Sequence, residues 1–198
     1  MTFPDRYLDY IPWAIATVLI AGIVHVVSVL LMPAVAPADA LARFSAAVRT
    51  AESTPGGVAL LPAIAPGAQA LPFEDPAFVE GVCVFDLTKG LLRVRAAVDG
   101  EDYLGLSFHA GAGRIFHAMT DRSAIKGKID IVVGDASQID ALESADDEDA
   151  PAQEVRYRAP TKRGFVLIRA LAKRPSDQER ARQRVRGVTC ETFELPKE

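Results

Sequence analysis

The stretch VCVFDLTKGLLRVRAAVDGEDYLGLSFHAGAGRIFHAMTDRSAIKGKIDIVV, Val82 to Val133, holds the strongest secondary-structure signal in the chain. Short runs rich in β-branched and other apolar residues alternate there with turns rich in Gly, Asp and Lys. The runs cover residues 82–87, 91–98, 103–109, 114–119 and 128–133. Runs of this length, separated by such turns, predict consecutive β-strands, which we expect to form an antiparallel meander.

Two of these runs show the period of two that is typical of a strand with one buried face. The residues expected to face the core are Leu92, Val94, Ala96 and Val98 in one run and Leu104, Leu106 and Phe108 in the other. Runs 154–159 and 164–171 predict a further pair of strands. The predicted fold class is therefore mostly β, an antiparallel sandwich or a partly open barrel of six or seven strands.

Residues 11–32, IPWAIATVLIAGIVHVVSVLLM, contain no charge and follow a tail of residues 1–10. About 20 apolar residues, rising about 1.5 Å each, cross a hydrocarbon core about 30 Å thick. We therefore predict an uncleaved transmembrane helix. A cleaved signal peptide is the alternative, because Ala38-Asp39-Ala40 resembles a cleavage triplet. The run is longer than a typical signal sequence, and its N-terminal flank lacks net positive charge.

His25 lies in the middle of this predicted span, where an ionisable side chain is a candidate for function. Ser28, three residues later, is the accompanying polar residue on the same side of a helix. We predict that His25 contacts a partner helix or bonds a backbone carbonyl; a proton or cofactor role is the alternative. The flanking charges, Arg6 on one side and Arg43 and Arg49 on the other, leave the orientation undetermined.

Residues 33–76 are predicted to form a short helix and a proline-rich connector, and residues 77–198 the β domain. Asp39 is the expected N-cap of the helix, which ends near Thr50. Its apolar face comprises Leu41, Phe44 and Val48. From Thr54 to Pro76 the prolines are too closely spaced for a helix. The connector residues expected to pack on the domain are Leu60, Leu61, Leu71 and Phe73.

A short C-terminal helix is predicted in PSDQERARQRVRG, residues 175–187. Ser176 and Glu179 have the spacing of a capping box, and Gly187 is the expected C-cap. The predicted apolar stripe is Ala181, Val185 and Val188. Four arginines make the helix basic, which is typical of a solvated surface or, alternatively, of a face turned toward anions.

Charge and motifs exclude several classes of function. The net charge of -4 excludes a generally basic nucleic-acid binder. No phosphate-binding glycine loop, nucleophile elbow or Cys-x-x-Cys motif is present, so we predict no cofactor. The acidic run 146–149 lacks the alternating ligands and glycine of a calcium loop, and it predicts a solvated loop. Whether Arg93, Arg95, Arg156 and Arg158 form a basic wall is left open.

His109 and His117 flank the turn AGAG and raise the question of a metal site. With a five-residue loop, His109 lies opposite Ile115 and His117 is its diagonal neighbour on the same face. With a four-residue loop, the two rings point to opposite faces. A metal would need a third ligand, for which Asp121 is the nearest candidate. We predict that no metal is bound.

The two cysteines, Cys83 and Cys190, are far apart in the sequence. In an exported domain they could form one structural disulfide, whereas in a cytosolic domain they would be reduced core thiols. Their spacing matches no metal-binding motif.

The core run resembles proteins of the domain of unknown function 1254 family, in which a segment like LDLSKGPL-V-VP precedes YYSLSLYD---N-FA--NDR. The matching residues here are 85–90, 103–108 and 116–122. The chain is most similar to short single-span members from alphaproteobacterial envelopes, which also carry a histidine in the span and two cysteines in the places of Cys83 and Cys190. It departs from the family pattern at His109, where a Tyr-Asp or similar pair is expected.

The resemblance implies a mostly β domain on the periplasmic side of the inner membrane. It also implies a disulfide between Cys83 and Cys190, which would stabilise the fold by roughly 3 to 5 kcal/mol. The family has no established activity, so the resemblance assigns none.

Two classes of function follow. The first is a noncatalytic, membrane-anchored periplasmic protein that helps to assemble or stabilise an envelope or membrane complex, with another membrane or envelope protein as its partner. The second is an envelope enzyme or binding module acting on a lipid or glycan, with a histidine as acid or base. Its candidate pocket residues are Asp86, Tyr103, His109, His117, Asp121 and Arg122.

Overall fold

A computed structural model describes residues 9–35, 40–63, 74–146 and 153–194 of the chain. Two compact units make up the molecule, Met1–Pro37 and Ala38–Glu198. The first contains one helix. The second contains all of the β structure in the described residues together with three helices, and it is mostly β, as the sequence predicts.

Helix α1 spans Ile11–Val35 and carries no acidic or basic residue in its first or last turn. Its segment Ile11–Met32 is long and apolar enough to cross a membrane, and the side chains of this segment are exposed. The Thr17 hydroxyl donates to the Trp13 carbonyl at 2.8 Å, which satisfies a polar group inside the apolar run. The composition and hydrogen bonding of α1 thus suit an apolar environment such as the interior of a membrane.

Two sheets form the second unit. In chain order the strands are β1 (Glu52–Ser53), β2 (Ala59–Leu60), β3 (Phe78–Asp86), β4 (Leu91–Ala97), β5 (Leu104–Ala110), β6 (Ile115–Thr120), β7 (Lys128–Gly134), β8 (Val155–Arg158), β9 (Arg163–Leu171) and β10 (Thr189–Phe193). Sheet A has the order β1-β2-β3-β9-β5-β6, and sheet B the order β10-β4-β7-β8. The architecture is a sandwich, with the main core between the sheets.

The predicted meander is wrong. Of the predicted strands, β5 pairs with β6 and β7 pairs with β8, and the chain otherwise moves from one sheet to the other. β3 pairs with β9, and β7 runs parallel to β8 instead of antiparallel. Crossing from one sheet to the other lets consecutive strands bury their apolar faces against each other. A 3₁₀ turn at Leu87–Lys89 makes the first crossing, and Gly90 follows it at φ 139, a conformation that favours glycine.

The core follows the predicted alternation. Leu92, Val94 and Ala96 are buried in β4, whereas Arg93 and Arg95 are not. In β5 the expected core residues are buried too, but so are most of their neighbours. Helix α2, Ala40–Val48, lies over the outer face of sheet A, where it packs on Val82 of β3 and on Phe165 and Leu167 of β9.

Helix α2 packs with the predicted apolar face. Leu41, Phe44 and Val48 contact a cluster that includes Phe165 and Leu167 of β9. Leu60 and Leu61 of the predicted connector are buried, and the connector also supplies β2, which pairs with β3. The predictions for Asp39, Leu71 and Phe73 lie outside the described residues.

Helix α3, Ala136–Ser144, was not predicted, although Asp135 and Gln138 form a capping box at its start. Helix α4, Gln178–Arg186, confirms the predicted C-terminal helix, its Gly187 C-cap and its apolar stripe. The predicted capping box at Ser176 is wrong. Pro175–Asp177 forms a 3₁₀ turn instead, and Asp177 accepts a hydrogen bond from the Arg174 backbone N–H.

Cys83 and Cys190 form a disulfide that joins β3 of sheet A to β10 of sheet B. Both cysteines are buried in the core between the sheets. The pairing implied by the family resemblance is confirmed.

Candidate functional site

The two histidines of the β5–β6 hairpin face opposite sides of sheet A. His109 lies opposite Ile115, as expected for a five-residue loop, but a bulge then pairs Phe108 with His117. Residues paired across two strands share a face of the sheet, whereas consecutive residues within one strand point to opposite faces. His117 therefore lies on the same face as Phe108 and on the face opposite to His109. The expected diagonal pairing of the histidines is therefore wrong. No group of three potential metal-binding side chains occurs in the described part of the chain.

His109 is buried on the face covered by α2. Its ring stacks on Phe165 with the centroids 4.5 Å apart, and its Nδ1 lies 2.9 Å from the Gly113 carbonyl oxygen. Because a carbonyl can only accept, Nδ1 carries a proton and donates it. Nε2 lies 2.9 Å from Ser107 Oγ and accepts from that hydroxyl in the neutral ring. Burial lowers the pKa of His109, which favours this neutral form.

The remaining pocket candidates each have a local contact of their own. The His117 ring stacks on Tyr157 of β8 at 3.8 Å. Asp121 Oδ1 accepts from the Leu104 N–H, and Tyr103 packs edge-on against Phe78. Asp86 accepts from the Thr88 N–H and hydroxyl, while Arg122 is exposed.

No hydrogen bond or ion pair joins any two of the six candidates within the residues that the structure describes. The structure thus disperses them over both faces and both ends of sheet A. Their catalytic roles stay a prediction.

The arginines of sheet B do not form a free basic wall. The carboxylate of Asp130 bonds Arg93 at 2.8 Å and also contacts Arg95 at 3.4 Å. The Arg93 hydrogen bonds lower the pKa of Asp130. Arg156 pairs with Asp146 and Glu154, and Arg158 with Asp140 and Glu143. These ion pairs compensate the positive charge, which supports the solubility role for this face. Asp146 is the one described residue of the acidic run 146–149.

Glu80 is a candidate residue that the sequence analysis missed. It lies in the middle of β3, and only 6% of its side chain is exposed. Arg169 lies directly opposite on β9, with its Nε 2.8 Å from Glu80 Oε1 in an ionic contact. Oε1 has no hydrogen-bond partner of good geometry among the described residues. Burial raises the pKa of Glu80, and Arg169 offsets this only in part.

A cavity of about 280 Å³ borders Glu80. Its apolar wall includes Leu61 and Phe78, and its polar wall includes Glu74 and Arg182 of α4. Arg182 is half-buried and makes no ion pair with any described residue. The cavity therefore presents a carboxyl group that can hold a proton, or accept a hydrogen bond, beside a free guanidinium. A single acid inside the apolar run FVEGVCVF, residues 78–85, is the sequence signal that could have found it.

Replacing Glu80 with glutamine tests the raised pKa. Because the pKa of Glu80 in the folded protein lies above the ordinary glutamate value of 4.5, the unfolded chain loses its proton first as pH rises. The wild type therefore loses stability between pH 4.5 and the folded pKa, whereas the neutral amide does not. We expect the stability of Glu80→Gln relative to wild type to increase from pH 4 to pH 8.

Pulse proteolysis in urea, with the full-length chain in mild detergent, measures this difference at each pH. Glu191→Gln is the control, because its carboxylate is exposed on β10. A constant difference between wild type and Glu80→Gln across this pH range would show that the carboxyl is not perturbed.

Comparisons with known proteins identify the family of this chain. No curated protein matches the chain. The VPA0106 protein from Vibrio parahaemolyticus is similar, with 12% identity and a TM-score of 0.49 over 64% of this chain and 33% of that one. An uncharacterized protein from Burkholderia cenocepacia has 12% identity and a TM-score of 0.41 over 68% of this chain and 35% of that one. The chain thus spans about a third of these structures.

The family model described as "Protein of unknown function (DUF1254)" matches residues 74–192, which is more than half of the chain and covers β3 to β9, α3, α4 and most of β10. The chain belongs to the DUF1254 family.

Proposed function

We propose that this protein is a membrane-anchored accessory component that helps to assemble or stabilise a complex of the inner membrane or envelope, with its β domain in the periplasm. The observation that carries the proposal is one face of α1. An otherwise apolar helix, exposed throughout its described side chains, places most of its small and polar residues on one face. Such a face is typical of helices that pack against another helix in the membrane.

The face follows from helical geometry. At about 100° per residue, an arc of about 80° on α1 contains Met32 and Val35 near the end of the helix and five small or polar residues. These five are Ala14, Thr17, Ala21, His25 and Ser28. Small side chains allow close approach of a second helix, and the His25 imidazole can hydrogen-bond across such a contact. The cost of an imidazole in hydrocarbon falls when it has such a partner.

The disulfide supports the periplasmic location. Cys83 and Cys190 are bonded across the core of the sandwich, and structural disulfides persist in oxidising compartments. With α1 as an anchor, a single crossing would place the β domain in that compartment.

A pull-down tests the proposal. The full-length chain with a C-terminal tag serves as the bait and is isolated from its native membrane in mild detergent. Mass spectrometry measures the masses of the bait and of the proteins that co-purify with it. A bait of intact mass less two hydrogens, with a stoichiometric membrane protein, would support anchor, disulfide and assembly together. A bait that has been cleaved so that it begins at Leu41, with no co-purified protein, would contradict the proposal.

His25→Leu probes the helix face in the same experiment. Loss of one hydrogen bond between helices in a membrane costs about 0.6 to 1.5 kcal/mol, so we expect about three- to tenfold less partner per bait. Ile23→Leu is the matched control, since Ile23 lies on the opposite side of α1. Equal amounts of partner per bait with His25→Leu and Ile23→Leu would show that His25 does not lie at the interface.

The cavity beside Glu80 favours a second candidate, a module that binds a small molecule. The buried carboxyl and the unpaired Arg182 suit a ligand that carries both a hydrogen-bond donor and an anionic group. The same native preparation tests this candidate, because its small-molecule extract would contain such a ligand in stoichiometric amount with the wild type and not with Glu80→Gln.

A further inference from the structure

Strand β6, Ile115–Thr120, is the outermost strand of sheet A beyond β5. One side of its backbone therefore has no strand neighbour among the described residues. Its six residues include no charge and no proline. Exposed edges usually carry charges or prolines, because a bare edge can pair with another chain. The bulge lies near its start and leaves His117 to Thr120 in regular pairing.

Apolar side chains surround this edge. Ile115 is 56% exposed and Ile125, which follows β6, is 62% exposed. Met119, Ile125 and Val155 also line a groove of about 590 Å³ between β6 of sheet A and β8 of sheet B. The side chain of an added strand could enter this groove, which gives the edge a place for an apolar anchor.

Four exposed cations flank the edge: Arg114, Arg122, Lys126 and Lys128. None of them makes an ion pair with any residue in the described ranges. The arginines on the outer face of sheet B are, by contrast, all paired with carboxylates. The β6 edge therefore carries a cluster of four cations that make no ion pair with any described residue, and this cluster favours an acidic partner.

A second copy of the chain fits this edge poorly. Arg114 precedes β6 and Arg122 follows it closely. Antiparallel pairing of two β6 strands would bring Arg114 of one copy near Arg122 of the other, and parallel pairing would align like arginines. The two acids nearby among the described residues already have partners: Asp121, 9% exposed, accepts from the Leu104 N–H, and Asp130, which lines the groove, pairs with Arg93. Charge repulsion thus opposes self-association at this edge.

We propose that β6 is the docking edge for an extended acidic segment of another envelope protein, which adds a strand to sheet A and places an apolar side chain in the groove beside Met119. This inference rests on the assembly function proposed above and names the chemistry of the partner. It uses a surface on the β domain that is separate from the His25 face of α1.

A photo-crosslinker tests the edge directly. Benzoylphenylalanine replaces Ile115 in the full-length chain, which is irradiated in its native membrane, and the cross-linked peptide is identified by mass spectrometry. Val84, 37% exposed on β3, carries the same probe as the control position. The expected result is one protein captured from position 115 and not from position 84, through a segment with acidic residues and alternating apolar residues.

Charge reversal supplies the second readout. Lys126→Glu with Lys128→Glu should lower the cross-link yield about tenfold, because two attractions become two repulsions. Lys162→Glu with Lys173→Glu changes the net charge equally at exposed positions outside this edge and should leave the yield unchanged.

Other outcomes overturn the inference. A cross-link to a second copy, to lipid or to a basic segment would do so, as would a yield no higher than at position 84. If the pull-down still recovers a partner that depends on His25, the assembly function survives and only the docking edge fails. If neither experiment finds a partner, both proposals fail.

Discussion

Replacing both Cys83 and Cys190 with alanine should lower the free energy of unfolding by about 4 kcal/mol. The cysteines are 107 residues apart, so the bond removes much of the freedom of the unfolded chain. It also ties β10 of sheet B to β3 of sheet A. Typical domains are stable by about 5 to 15 kcal/mol, so this loss is a large share of the total.

The measurement is the urea midpoint of the full-length chain in mild detergent, with and without a reductant. Reductant should shift the wild type to the midpoint of the double alanine variant, and it should leave that variant unchanged. The first condition separates loss of the bond from loss of buried sulfur, because the reduced wild type keeps both sulfur atoms. The second condition shows that the reductant acts only through the disulfide. A reduced wild type within about 1 kcal/mol of the oxidised protein would show that the bond adds little.

The same bond bears on the compartment. A domain that depends on a disulfide for several kcal/mol is poorly stable where thiols are kept reduced. Expression of the β domain without export would therefore yield a chain that is more readily degraded than the exported one. The dependence on oxidation and the proposed periplasmic location support each other, because each follows from the same two cysteines.

Local patterns predicted the strands well and their partners poorly. Leu92, Val94 and Ala96 are buried as the period of two requires, because alternation is a property of one strand and one face. Pairing depends on contacts far apart in sequence, such as that between Val82 and Leu167. No local pattern distinguishes a meander from strands that alternate between two sheets, so the topology could not be derived from alternation alone.

The candidate site residues were also poorly predicted, because their positions depend on contacts that no local pattern shows. One extra residue in β6 places His117 on the side opposite to His109, and no periodicity predicts a bulge. Glu80 was missed because the predicted first strand began at Val82, whereas β3 begins at Phe78. Its burial results from Arg169 opposite it on β9, a contact that spans much of the chain. Sequence could identify polar residues in strands but not the surfaces they share.

Replacing Phe165 with alanine should lower the free energy of unfolding by about 3 to 5 kcal/mol. Phe165 is 0% exposed at the centre of the contact between α2 and sheet A. Its ring lies 4.5 Å from that of Phe44 on α2 and 4.5 Å from that of His109 on β5. Truncation would remove both contacts and leave a cavity that the sheet backbone cannot close.

Val84→Ala is the control, since Val84 pairs with Phe165 in register but is exposed. It should cost less than about 1 kcal/mol. The pKa of His109 provides a second readout by nuclear magnetic resonance. Burial lowers this pKa, so opening the cavity beside the ring should raise it toward the value of a solvated histidine. If Phe165→Ala costs no more than Val84→Ala and leaves the His109 pKa unchanged, α2 does not pack on the sheet. The helix that follows the proposed anchor in sequence would then be a linker and not part of the β domain.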